Sequence, residues 1–245
     1  MASRLEAIAA LTGGGQEYEI VPCESWGRSC RMFKQTPENL RQLFESCRSD
    51  KTFIVYEGER YTFDETQRRV ARIANILVSH YGICKGDRVA ISMRNYPEWI
   101  MAFNAVTSIG GIAVAMNSLW QSEEMEFGLR DCGAKVLFAD EERIERLLPV
   151  KAALDLEVIT VRVNEVPRSG FRKLDELLGG ELDEQLPDVS VEPGDLATIL
   201  YTSGSTGHPK GALSSHLNIL SALMSWELDA RIAQFISGEP APVLP

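Results

Sequence analysis

Gly86-Asp-Arg-Val-Ala-Ile-Ser92, a patterned stretch from Asn95 to Val106, then Gly110-Gly-Ile-Ala-Val-Ala115: the fold is decided in these thirty residues. Two short apolar runs, each entered through glycine, flank a segment in which Trp99, Ala102, Phe103 and Val106 recur at helical spacing. A continuous apolar run has no polar face to offer water, so a strand built from it is covered on both sides. Two such runs joined by a helix make a parallel crossover unit. Asn95 and Glu98 are the expected helix opening, and Gly110-Gly111 its end.

The same alternation extends in both directions. Downstream, Ser122 is the expected cap of a helix that stops at Gly133. Lys135-Val-Leu-Phe-Ala139 and Val158-Ile-Thr-Val161 follow as strands. Upstream, Thr62 and Glu65 have capping-box spacing, in which a hydroxyl and a carboxylate satisfy each other's free amides. The helix they open carries Val70, Ile73, Ala74, Leu77 and Tyr81 on one stripe. Before it, Thr52-Phe-Ile-Val-Tyr56, the turn Glu57-Gly58 and Arg60-Tyr61 read as a hairpin. Thr36-Pro37-Glu38 predicts a helix running to about Cys47. The pattern predicts an α/β fold of layered, mostly parallel sheets flanked by helices. The expected organisation is an N-terminal arm over 1–35, extended or partly helical, a first α/β subdomain over 36–185, and the start of a second over 186–245. Residues 162–194 are polar and irregular.

Composition narrows the function classes. With 25 basic and 35 acidic residues the net charge is −10, and no basic stripe exists to neutralise a nucleic-acid backbone. No stretch approaches the roughly 18 apolar residues of a membrane span, and Met1 to Gly15 lack the pattern of a secretory signal. The default expectation is a cytoplasmic protein. Cys23, Cys30, Cys47, Cys84 and Cys132 form no Cys-x-x-Cys pair and are expected to be reduced, mostly buried thiols without a disulfide or zinc role.

Chemistry concentrates in Leu196-Ala-Thr-Ile-Leu-Tyr-Thr-Ser-Gly-Ser-Thr-Gly-His-Pro-Lys-Gly-Ala212. The first six residues predict a buried strand, which empties into Thr202, Ser203, Gly204, Ser205, Thr206, Gly207 and, after Pro209, Lys210. Glycines let backbone amides approach an anion closely. Hydroxyls donate without adding charge, and one lysine supplies a mobile positive charge. The bland reading is a surface turn, which glycine, serine and proline also build. The preceding strand, the order of residues and the single lysine favour polyphosphate. A Walker loop is excluded, because it requires glycine before the lysine and a hydroxyl directly after it. Here those places hold Pro209 and Gly211.

Position by position, Tyr201 to Gly211 resembles the phosphate loop of the adenylate-forming superfamily, which includes acyl-CoA synthetases, firefly luciferase and peptide-synthetase adenylation domains. His216 and Asn218 stand where such proteins often carry a His-x-Asn pair. Arg60-Tyr-Thr-Phe-Asp-Glu65, Gly86 to Ile91, Gly110 to Asn117 and Asp131 to Phe138 also resemble family segments, with Phe63 in place of the usual tyrosine. The resemblance spans about residues 35–225.

The resemblance implies that a carboxylate attacks the α-phosphorus of ATP, giving an acyl-adenylate and pyrophosphate, after which coenzyme A takes the acyl group. It assigns Thr202, Ser203, Gly204, Ser205, Thr206, Gly207 and Lys210 to the β- and γ-phosphates, with Mg2+ sharing that load and Thr206 toward the ATP-bound metal. It assigns no catalytic residue within this chain; His216 is a candidate whose other reading is helix-start or packing. His208 is incidental, Trp99 and Phe103 are packing residues, and Glu141-Glu142-Arg143 is a solvated helix start. The implied partners are ATP, CoA and a carboxylic acid, fatty or otherwise hydrophobic. No Tyr-Gly-x-Thr-Glu run is present, and the family's ribose aspartate, hinge and lysine-bearing C-terminal domain have no place before Pro245. The expectation is therefore an N-terminal portion, inactive alone and prone to self-association through exposed edges. The alternatives are a noncatalytic nucleotide-binding or interaction protein derived from this family and an unrelated phosphate-loop hydrolase.

Overall fold

The computed structural model describes residues 2–165, 170–180, 185–202 and 209–238. In chain order the elements are α1 (Arg4–Thr12), β1 (Ile20–Ser25), β2 (Arg28–Phe33), α2 (Leu40–Ser46), β3 (Thr52–Tyr56), β4 (Glu59–Thr62) and α3 (Phe63–Ser79). There follow β5 (Arg88–Ser92), α4 (Pro97–Ser108), β6 (Ile112–Ala115), α5 (Ser122–Cys132), β7 (Val136–Asp140), α6 (Glu141–Leu147) and β8 (Glu157–Val161). The chain continues through β9 (Phe171–Lys173), α7 (Leu174–Leu177), β10 (Leu196–Thr202), β11 (Lys210–Ser215) and α8 (His216–Ser237).

Seven strands form one sheet in the order β11-β10-β6-β5-β7-β8-β9. Every neighbouring pair is parallel except β10 with β11. Successive side chains on a strand point to opposite faces, and the two cores follow that alternation. Val89, Ile91, Val136, Phe138, Ile159 and Val161 pack on one face with the α3 stripe and with Met101, Ala102 and Val106 of α4. Ala90, Val114, Leu137, Ala139 and Val158 pack on the other with Met125 and Leu129 of α5 and Ile144 and Leu147 of α6. The continuous apolar runs are thus two interleaved half-patterns, each with its own helical layer.

Helix boundaries follow capping chemistry, in part differently from expectation. The Thr62–Glu65 capping box forms, with Glu65 N–H donating to Thr62 Oγ1 at 3.1 Å and Thr62 N–H to Glu65 Oε2 at 2.8 Å. Gly133 ends α5 in the left-handed conformation, φ 61°. Helix α2, however, begins at Leu40 rather than at Pro37. Asn39 takes the cap position because its Oδ1 accepts from Gln42 N–H while its Nδ2 donates to Val191 O. Helix α4 starts at Pro97 with no side-chain cap, and Ser122 lies inside α5.

The arm is more structured than expected. Ser3 and Glu6 form a capping box on α1, and β1–β2 is an antiparallel hairpin turning at Trp26-Gly27. Ala7, Tyr18 and Phe33 bury against Leu228 and Ile232 of α8, and Tyr18 Oη donates to Glu227 at 2.9 Å. Strand β10 joins the same sheet, pairing with β6 from Thr198↔Ala113 to Leu200↔Ala115. The irregular segment before β10 is tied down by Arg41, which donates to Pro187 O at 2.8 Å, and by the Lys85–Asp195 ion pair at 2.6 Å.

Arg143 is not solvated, as its sequence neighbours suggested, but 3% exposed. Its guanidinium reaches both carboxylate oxygens of Asp140 and donates to Ser118 O. A buried guanidinium needs such a full set of acceptors. Of the five cysteines only Cys132 is buried; Cys47 and Cys84 are exposed, and Cys23 and Cys30 half-buried. The expectation of mostly buried thiols fails because four of them lie on hairpins, helix ends and turns instead of in the sheet core.

Candidate functional site

Strand β10 carries the hydroxyl- and glycine-rich segment out of the sheet. Ala197, Thr198 and Ile199 are buried, and the burial ends there: Leu200 is 50% exposed and Thr202 is exposed. The expected buried strand is therefore buried only over its first half. Strand β11 brings the chain back, with Tyr201 opposite Gly211 and Thr202 opposite Lys210. Thr202 Oγ1 donates to Lys210 O at 3.4 Å. Thr202 and Lys210 are thus placed side by side on one face at the mouth of the hairpin. Ser203, Gly204, Ser205, Thr206, Gly207 and His208 lie outside the described residues.

The opposite face of the same two strands is anchored. Tyr201 Oη donates to Asp131 Oδ2 at 2.6 Å and to Gly128 O at 3.1 Å, both on α5. Burial first, and then the bond to Asp131, hold the phenol well above its ordinary pKa, so it stays protonated and keeps donating. Trp120 meets the ring edge-on at 5.3 Å between centroids. Gly211 is required by this packing: a Cβ there would come within 2.9 Å of Ile199 Cγ2 and 3.6 Å of the Tyr201 ring. Both stems are therefore fixed to the sheet's helical layer by a tyrosine that simple motif reading treats as the last residue of a strand.

His216 and Asn218 fasten the start of α8. Ser215 N–H donates to Asn218 Oδ1 at 3.0 Å and Asn218 N–H to Ser215 Oγ at 3.2 Å, a capping box in which asparagine plays the usual glutamate. His216 is fully buried, and its Nδ1 accepts from Leu40 N–H at 3.2 Å, satisfying the first amide of α2. Burial lowers its pKa to about 4, with Asp195 opposing the shift. It is a neutral imidazole joining two helix N-termini.

The exposed residues of the site, Thr202 and Lys210, supply a hydroxyl and an ammonium. No group of three or more histidine, cysteine, aspartate or glutamate side chains converges on a metal position among the described residues. No helix among the described residues is long and apolar enough to cross a membrane.

The fold is a mostly parallel α/β sheet that ends in a hairpin flanked by a hydroxyl and a lysine. The sequence of residues 43–240 matches the family model for AMP-binding enzymes, and the chain belongs to that family. It is 30% identical over 191 residues to 4-hydroxybutyrate–CoA ligase 2 of Metallosphaera sedula, covering 74% of this chain and 35% of that one. It is 34% identical over 171 residues to a feruloyl-CoA synthase of an Amycolatopsis species, covering 69% and 31%. Among solved structures, an anthranilate–CoA ligase in complex with anthranoyl-AMP superposes with a TM-score of 0.67 at 26% identity, over 73% of this chain and 35% of that one. The chain spans about a third of the length of these relatives.

Proposed function

We propose that this chain is the phosphate-holding part of an ATP-dependent acid–thiol ligase. The complete protein would join a carboxylic acid to the α-phosphate of ATP and then pass the acyl group to coenzyme A. The observation that carries the reading is the pairing of Thr202 with Lys210 at the mouth of the β10–β11 hairpin. It sets a hydroxyl and a positive charge at the two ends of a segment whose other residues are Ser203, Gly204, Ser205, Thr206, Gly207, His208 and Pro209. In this proposal Thr202, Ser203, Gly204, Ser205, Thr206, Gly207 and Lys210 hold the β- and γ-phosphates. Donors aimed at departing pyrophosphate stabilise the transition state, because negative charge accumulates there as the P–O bond breaks. Mg2+ bound with ATP would offset further charge, with Thr206 on its side of the loop.

Sequence similarity to CoA ligases of short hydroxy acids and aromatic acids supports acyl activation in general. Our finer reading is a fatty or otherwise hydrophobic acid as substrate, with residues 186–245 opening a second subdomain. Residues 1–245 alone are proposed not to turn over, since the matched relatives are about twice as long. His216 takes no part in the chemistry in this proposal, because it is buried, neutral and bonded to Leu40.

The test is carboxylate-dependent exchange of labelled pyrophosphate into ATP. The extended protein is expected to exchange with a panel of hydrophobic acids, and the 245-residue chain to remain at background. Lys210→Ala in the extended protein should raise KM for ATP by about tenfold or more, the loss of one charge-assisted contact, with KM for the acid little changed. Loss of acid affinity with normal ATP kinetics would remove Lys210 from the phosphates. ATP hydrolysis independent of any carboxylate would assign the loop to a hydrolase.

A further inference from the structure

The register of the β1–β2 hairpin brings two cysteines face to face. Cys23 is the cross-strand partner of Cys30, and their sulfurs approach to 2.8 Å. Lys34 N–H donates to Glu19 O at 2.8 Å, and antiparallel pairs alternate between bonded and non-bonded. This makes 21/32, 23/30 and 25/28 the bonded pairs and leaves Pro22, which has no N–H, at a non-bonded one. A bonded pair has its Cα atoms about 5.5 Å apart, inside the span a disulfide bridges. Both thiols are half-buried and so within reach of a small reagent, whereas Cys132 is buried and Cys47 and Cys84 make no contact with another cysteine.

We propose that Cys23 and Cys30 form a reversible dithiol–disulfide site, oxidised by low-molecular-weight disulfides such as glutathione disulfide. One cysteine, as thiolate, attacks a sulfur of the reagent, RSSR, and displaces one thiolate, leaving a mixed disulfide on the protein. The other cysteine then loses its proton, attacks the protein-side sulfur and expels the second thiolate. In sum, two protein thiols give up two electrons and two protons, and RSSR becomes two RSH. Contact with Cys30 keeps the Cys23 thiol above its ordinary pKa, so the reaction accelerates as pH rises. The proposal does not depend on the functional reading above. Reversible pairs of this kind are compatible with a reducing compartment, where permanent disulfides are rare.

The test is direct on the 245-residue chain. Fully reduced protein is incubated with glutathione disulfide, quenched with an alkylating reagent and digested with trypsin, which cuts after Arg28 between the two cysteines. The free-thiol count should fall from five to three, and one product should join the Cys23 and Cys30 peptides with the loss of two hydrogens. The double variant Cys47→Ser/Cys84→Ser should give the same product. Cys30→Ser should instead stop at a glutathione adduct on Cys23. The ratio of internal bond to adduct should be about tenfold or more higher in native chain than in urea, because the sheet fixes the sulfurs together. An adduct that persists in the native chain overturns the proposal. So does a bond between other cysteines, or an equal ratio in urea.

Discussion

Strands β5 to β8 and the hairpin β10–β11 belong to one sheet and are held by different forces. The central strands are covered on both faces, and every residue of β7 is buried. At the edge, Leu200 of β10 and Leu213 of β11 are 50% and 51% exposed. What holds the hairpin is a short set of specific contacts: Tyr201 to Asp131 and Gly128, Trp120 against the ring, and Gly211 beneath it. The comparison teaches that the centre is held by continuous burial and the edge by a few specific contacts, which in the proposed function position groups for the ligand. Changes at the two places should therefore be separable, as expected where stability is unevenly distributed.

The largest effect is expected at the centre. Phe138 is fully buried in β7, and Phe138→Ala should lower unfolding free energy by about 3–5 kcal/mol in a urea titration. A loss below about 1 kcal/mol would break the comparison. Next comes Gly211→Ala, where a methyl group must displace Ile199 or tilt β11. Overpacking of this kind costs about 1–3 kcal/mol, and nucleotide affinity should fall with it.

A pH scan tests the joint between α2 and α8. His216 has its pKa lowered from 6.5 to about 4 in the folded chain. Above 6.5 both states are neutral and the residue adds no pH dependence. Between 6.5 and about 4 the unfolded chain takes up the proton first, so stability falls as pH falls. The slope from this residue is at most about 1.4 kcal/mol per pH unit, and His216→Gln should flatten the melting-temperature profile in that window. Tyr201→Phe is the smallest and most selective change. Removing one hydroxyl that donates to a charged acceptor should cost about 1–2 kcal/mol and leave secondary structure intact. If the edge positions ligand, nucleotide binding weakens beyond that loss; if stability alone changes, the positioning role fails.

The sheet interior was readable because its information is local. Runs such as Val136–Ala139 can be buried only one way, and Thr62 with Glu65 specifies a helix start within four residues. The candidate site was readable as a motif, yet its support was not. Tyr201 finds Asp131 seventy positions away, and nothing in either neighbourhood signals the pair. Strand β11 was missed for a related reason: Gly-Ala-Leu-Ser-Ser has little intrinsic strand preference and is held extended by β10. Asn39 displaced Thr36 as a cap because Val191, distant in sequence, receives its amide. The N-terminal hairpin did carry a local signal, Trp26-Gly27 between segments of equal length, that would have paired Cys23 with Cys30. Arg143 sits among glutamates, and the buried Asp140 carboxylate together with the carbonyl of Ser118 explains why it turns inward.

The docking of the arm on α8 has a consequence for biogenesis. Arg4 bonds to Asp229 across 225 positions, and Tyr18 bonds to Glu227 across 209. A ribosome releases Arg4 and Tyr18 first and their partners much later, so the arm waits undocked while the sheet assembles behind it. Segments held only by such distant contacts join a fold late. A segment made well before α8 is thus among the last to find its place, and a nascent chain halted before α8 emerges should leave the arm open to protease.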